Sequence, residues 1–251
     1  LSNTQNKPKI NFIFNSITHI KNKMKWNSKF NYQKYSRSTE GGVRKYLFGD
    51  HKLPSVTSIL SQTKSEEEKA SLELWKKRVG YKEASRIKTE ASSRGSSMHS
   101  YIEDYLRGRV NESFFESNEQ YKNMAKEIIE KGIKGKIDEI YGMEETLYYP
   151  EKYAGTADLI CKYQGQDVLI DFKQSNRPKK SDYIQDYFLQ LGAYTLAHDV
   201  VHGTKMKAGI ILLCTVDNLF QEFKIEGAEL EMYQNLFLGR VKKFYEINNI
   251  S

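Results

Sequence analysis

Cysteine is scarce in this chain: Cys161 and Cys214 are the only two in 251 residues. Two thiols cannot build a four-cysteine iron–sulfur cluster or an all-cysteine zinc site within one chain. Both sit in apolar, strand-like runs, so buried free thiols are expected, and a reducing cytoplasm is the simplest compartment. Long apolar runs are missing too. None approaches the roughly 20 residues that a membrane-spanning helix needs. Polar residues interrupt Ile10 to Ile13 too early for a secretory signal core. There is no internal repeat and no long low-complexity linker, which leaves an ordinary folded chain.

Hydrophobic residues make up 39% and aromatics 12%, enough for a real core. The formal charge is +7. A basic surface attracts polyanions through phosphate contacts and counterion release. An AT-rich coding sequence, with its plentiful Lys, Asn, Ile, Tyr and Phe, gives the same balance, so charge alone carries no nucleic-acid claim.

Residues 1–23 are rich in Asn and Lys and show no period. Met24-Lys25-Trp26 resembles a natural start, so 1–23 is expected to be a non-native extension or a poorly ordered arm. Residues 24–143 are expected to form a β element and a helical region, and 144–251 a core that makes one compact domain with 50–143. Tyr35 to Thr39 and Val43 to Phe48 flank Gly41-Gly42 as a hairpin. Pro54-Ser55-Val56-Thr57 has the features of a helix start. Ser65 and Glu68 match a capping box, followed by a Leu72, Trp75, Val79 face. Arg94 to Leu106 is a second helix, with Met98, Ile102 and Leu106 stacked. Tyr121 to Ile140 is a third, striped by Ile129, Ile133, Ile137 and Ile140. Strands follow at Glu144 to Tyr149, Gly155 to Tyr163 and Val168 to Phe172, the last two joined by a Gly165-Gln166 turn. A helix at Ser181 to Val200, strands at Lys207 to Thr215 and Phe220 to Ile225, and a helix at Glu229 to Ile247 close the chain. Leu230, Tyr233, Leu236 and Phe237 mark the core face of that last helix. The order predicts an α/β fold with a mixed central sheet flanked by helices.

The chemistry lies in Gly155-Thr156-Ala157-Asp158 and Ile170-Asp171-Phe172-Lys173. Strand alternation puts Asp171 and Lys173 on one face and Phe172 on the other. A hairpin brings Asp158 beside Asp171, so two carboxylates and an ammonium converge. Such carboxylates bind Mg²⁺, a hard cation, and a nearby lysine can orient an attacking water. Two carboxylates held close are costly without a cation. A bare Asp-x-Lys is nonetheless common on ordinary strands. His99 and Glu103 share a helix face, and His99 could ligate metal. Gln190 and Tyr194 share another. A glutamine there could hold a scissile phosphate or a water. Asn176, Arg177, Lys179 and Lys180 could grip a nucleic-acid backbone.

The ordered set Arg94-Gly95-x-x-x-His99, Gly155-x-x-Asp158, Asp171-Phe172-Lys173 and Gln190-x-x-x-Tyr194 resembles the RecB-like branch of PD-(D/E)xK nucleases. With Pro54-Ser55-Val56-Thr57 upstream, it is most similar to the mitochondrial genome maintenance exonuclease group and its bacteriophage relatives. The resemblance spans roughly residues 50–245. It implies a restriction-endonuclease-like core. His99, Asp158, Asp171 and the Phe172 carbonyl would hold Mg²⁺ or Mn²⁺, Lys173 would be the catalytic lysine and Gln190 the motif glutamine. Glu145 is a weaker acidic candidate on the preceding strand. The implied activity is exonucleolytic cutting of single-stranded or flap DNA ends in recombination, repair or phage genome processing, with no iron–sulfur cluster. Ser55, Thr57, Arg94, Tyr194, Arg177 and Lys179 are the expected DNA contacts. A phage or host recombination protein is a conceivable partner, and a phage-encoded protein in a bacterial cytoplasm the expected setting. A structure-selective endonuclease and a non-catalytic binding domain are the rival readings.

Overall fold

The computed structural model describes residues 24–110 and 119–249, so the expected extension 1–23 lies outside it. The first described residues run along the edge of the main sheet. Asn27 N–H donates to the Ile140 carbonyl and Ile140 N–H to the Lys25 carbonyl, both at 2.8 Å. A small antiparallel sheet follows: β1 (Arg37–Glu40), β2 (Val43–Phe48) and β3 (His51–Pro54). The hairpin was legible in sequence, whereas the third strand was not.

Helix α1 (Val56–Gln62) starts where the hydroxyls suggest: the Ser55 side chain caps it by accepting from Ser58 N–H at 3.0 Å. Helix α2 (Glu66–Val79) carries the Ser65–Glu68 capping box in full. Its Leu72, Trp75, Val79 face packs no core, however, since α2 buries none of its residues and Leu72 is 47% exposed. Helix α3 (Tyr81–Leu106) starts well before the expected Arg94 and buries the anticipated Met98, Ile102 and Leu106.

The third expected helix ends early, and its last residues, Ile137 to Ile140, are strand. Helix α4 (Gln120–Ile128) passes into a π-helical turn at Ile129–Ile133, the chain breaks at Lys134-Gly135-Lys136, and β4 (Ile137–Tyr149) begins. Register shifts between Ile137 and Glu139 and between Ile140 and Gly142 let Ile137 and Ile140 face the same core as Ile129 and Ile133. Bulges thus imitate a helical stripe.

Strands β5 (Tyr153–Tyr163) and β6 (Gln166–Ser175) form a hairpin whose two-residue loop is Gln164-Gly165, one residue earlier than expected. Both loop residues have positive φ, 48° and 81°, as the mirror-image turns of tight hairpins demand. Helix α5 (Gln185–His202) crosses from β6 to β7 (Ala208–Thr215), and β8 (Phe220–Glu226) leads into α6 (Gly227–Ile247). The sheet order is β4-β5-β6-β7-β8, with β6 and β7 parallel and the other neighbours antiparallel.

This five-stranded mixed sheet, flanked by helices, has a hydrophobic core on each face. Ile170, Phe172, Ile210 and Leu212 pack with residues of α3 and α4. Leu169, Ile211 and Leu213 pack with α1, α5 and α6. All eight residues of β7 are buried, as a strand covered on both sides requires. On α6 the core stripe is Leu230, Tyr233, Phe237, Val241 and Phe244, while Leu236 is half exposed because it falls one residue off the stripe. Cys161 and Cys214 are buried and unbridged, and burial pushes both thiols up. Among the described residues no helix is long and apolar enough to cross a membrane.

Candidate metal centre

The site forms where a ladder ends. Backbone pairing of β5 with β6 stops at Leu159 and Ile170. Past that point the two strands part, and the polar groups of Phe172 must find side-chain partners. Asp158 Oδ2 accepts the Phe172 N–H at 2.8 Å. His99 Nε2, reaching from α3, lies 2.8 Å from the Phe172 carbonyl and donates to it. The other ring nitrogen of His99 then faces Asp158 Oδ2 at 3.6 Å. Met98 and Ile102, fully buried on either side of His99, hold the helix in this position.

Glu144 completes the group. Met143 pairs with Leu159 and Glu145 with Ala157, so Glu144 lies across from Asp158. Its φ is 55°, a left-handed conformation that costs a non-glycine residue roughly 1–2 kcal/mol. Such strain in a mid-strand residue points to function. His99, Glu144 and Asp158 each offer a ligand atom within 4.8 Å of the other two. Burial, then the Asp158 charge, pushes the Glu144 carboxyl up to about 7. Glu145, the acidic residue favoured by resemblance, lies outside this group. Its side chain adjoins Gly142, and burial raises its carboxyl as well.

Asp171 and Lys173 share the α5 side of β6 while Phe172 enters the opposite core, as alternation requires. Asp171 is buried. The Lys173 ammonium makes an ion pair with Asp171 Oδ2 and lies over the Tyr187 ring, 5.2 Å from its centroid. Burial pushes the Asp171 carboxyl up, against the pull of Lys173. For Lys173, burial opposes the charge, but Asp171 and Asp158 outweigh it and hold the ammonium above the usual lysine range.

A cleft of about 460 Å³ opens over His99, Glu144 and Asp158. Ser55, Thr57, Gln190 and Tyr194 line it, and Gln190 Nε2 donates to the Tyr194 hydroxyl at 3.2 Å. Gly155 is required here: a Cβ would lie 2.4 Å from Tyr194 Cε1. The other predicted DNA contacts stand outside the cleft lining. Arg94 is engaged with Gln174, at 2.9 Å, and with Asn176, tying α3 to β6. Arg177 is exposed in the loop after β6, and the Lys179 backbone is pinned to Gln221. Glu144, Arg37 and Arg44 line the cleft without a sequence signal that singled them out.

No family model matches the chain. It is 29% identical over 179 residues to the mitochondrial genome maintenance exonuclease 1 of Xenopus tropicalis, covering 66% of this chain and 49% of the relative. The human protein of that name is 27% identical over 215 residues, covering 77% and 58%. The mouse protein is 28% identical over 177 residues, covering 66% and 50%. The chain therefore spans about half the length of the curated relatives it matches. Their similarity supports a nuclease family, and His99, Glu144 and Asp158 form a possible metal site.

Proposed function

We propose that this chain is a Mg²⁺- or Mn²⁺-dependent DNA exonuclease of the PD-(D/E)xK, RecB-like kind. The convergence of His99, Glu144 and Asp158 over the Asp171–Lys173 pair carries this reading. The donor set fits a hard divalent cation: carboxylate oxygens and one imidazole nitrogen, with the Phe172 carbonyl beside His99 Nε2. Glu144, whose carboxyl is pushed up by burial and by the Asp158 charge, makes no ion pair among the described residues, and a cation beside it would offset the cost of its burial. Such an ion supplies charge to a phosphoryl oxygen and acidifies a water.

His99, Glu144 and Asp158 would hold the ion, with Asp171 as a further acidic ligand. Asp158 also fixes the backbone of Phe172, so ligand and strand are positioned together. Lys173, held by Asp171 and Tyr187, presents a positive charge that orients the attacking water and offsets charge developing on the phosphate. Gln190 and Tyr194 form the cleft wall toward the phosphate. The exonuclease reading draws on the exonuclease-named relatives, and the preference for single-stranded or flap ends, in recombination, repair or genome processing, on the motif resemblance alone.

End-labelled linear and circular single strands, each with Mg²⁺ or with EDTA, provide the test. Linear strands should be degraded only with metal, and circles should resist. Cutting in EDTA contradicts the metal reading. Rapid cutting of circles identifies an endonuclease instead.

A further inference from the structure

Arg37 and Arg44 differ from most arginines of the described chain. Arg86, Arg107, Arg109 and Arg240 each lie against a carboxylate, and Arg94 is tied to Gln174 and Asn176. Among the described residues, the guanidiniums of Arg37 and Arg44 have neither an ion pair nor a hydrogen bond, yet both line the cleft over Asp158.

Their placement follows from register. Arg37 pairs with Tyr46 across β1 and β2, and Arg44 precedes Tyr46 by two residues. All three side chains therefore share one face of the small sheet. Tyr46 is buried, and its hydroxyl lies 2.9 Å from Thr156 Oγ1, two residues before Asp158 on β5. A second anchor is the bridge between Ser55 and Ala154. The arginine face is thus fixed against the strand that carries Asp158. Diagonal neighbours across an antiparallel pair lie about 7–8 Å apart, comparable with successive phosphates of an extended strand. The planar fork of a guanidinium matches phosphate oxygens. Glu103, Glu144 and Asp158 also line the cleft and repel a polyanion, so the arginines are where a backbone can rest.

We propose that Arg37 and Arg44 form a phosphate-binding wall that seats the backbone of a DNA strand beside the metal centre and thereby selects the linkage presented to it. This inference rests on the nuclease reading and gives the N-terminal sheet its task. The arginines position substrate and take no part in bond breaking.

The test measures binding of a single-stranded oligonucleotide in EDTA, as a function of salt, for the parent, Arg37→Ala, Arg44→Ala, the double variant and Arg86→Ala. Each cleft variant should weaken binding severalfold or more and flatten the log–log salt slope by about 0.7, the double by about 1.4. Arg86→Ala should match the parent. Arg44→Lys should keep the slope while losing part of the affinity. Single-turnover cleavage at subsaturating DNA should fall in step with the loss of affinity. A methylphosphonate at the contacted position should erase the difference between parent and variant. Both side chains are exposed, so melting temperatures should not move. If the parent cleaves DNA but both variants keep its affinity and slope, the phosphate wall is overturned while the nuclease reading stands. If the parent neither binds nor cuts DNA, both are overturned.

Discussion

Asp171 and Glu144 meet the same physical problem on opposite sides of the point where β5 and β6 part. Each is a carboxylate removed from much of its water, and burial raises the proton affinity of both. Asp171 has a built-in counter-charge, the Lys173 ammonium, which is partly buried and held over Tyr187. Glu144 has no such partner: Asp158 adds like charge, and its backbone is held in a left-handed conformation. One side of the site is neutralised by the chain and the other waits for a cation. The chain therefore tolerates unfavourable electrostatics only where the proposed ion enters.

The largest expected effect breaks this comparison at Asp171. Asp171→Ala leaves the partly buried Lys173 ammonium without its partner, and removing one member of a buried pair costs about 3–5 kcal/mol. Urea unfolding should register that loss, whereas Glu144→Gln in metal-free buffer should raise the unfolding midpoint. Equal, small effects at both positions would erase the distinction between the two sides. Next in size is Lys173→Ala. Single-turnover cleavage should fall about 10²–10³, with single-strand affinity within a few-fold. Unchanged cleavage would leave Lys173 a structural counter-ion only. Gly155→Ala comes third. Its Cβ would meet the Tyr194 ring, and such overpacking typically costs about 1–3 kcal/mol, so the melting temperature should drop.

A further comparison lies away from the site. His198 is buried, with Nε2 2.8 Å from the Tyr32 hydroxyl and Nδ1 2.8 Å from Thr204 Oγ1. Burial, then the neighbouring His202, lowers its pKa from 6.5 to about 3. As pH falls from about 6.5 toward 3, the unfolded chain takes up a proton that the folded chain refuses, so stability is lost across that window. The difference in urea midpoint between parent and His198→Gln should narrow as pH drops through this range. A constant difference would show that His198 titrates alike in both states.

Much of the placement of the candidate site was legible in sequence because it depends on local geometry. Period-two alternation placed Asp171 and Lys173 together, a tight hairpin brought Asp158 to the end of the same ladder, and helical spacing placed His99 on the edge of the Met98–Ile102 stripe. Glu144 was hidden because nothing in a glutamate predicts a left-handed φ, and resemblance pointed to its neighbour. Arg37 and Arg44 were hidden because their position depends on how a separate small sheet docks on β5 through Tyr46 and Thr156. Spacing also misled. Ile137 and Ile140 continue a helical stripe in number only, since bulges in β4 turn them to that core. The face of α2 is periodic without being packed.

Mn²⁺ binding to the parent protein, Glu144→Gln and Glu145→Gln, followed by calorimetric titration without DNA, tests the central assignment most directly. The account predicts that Glu144→Gln weakens binding about tenfold or more, the size of effect seen for supporting groups around metal sites, while Glu145→Gln binds like the parent. Parent-like affinity in Glu144→Gln would contradict the His99–Glu144–Asp158 centre.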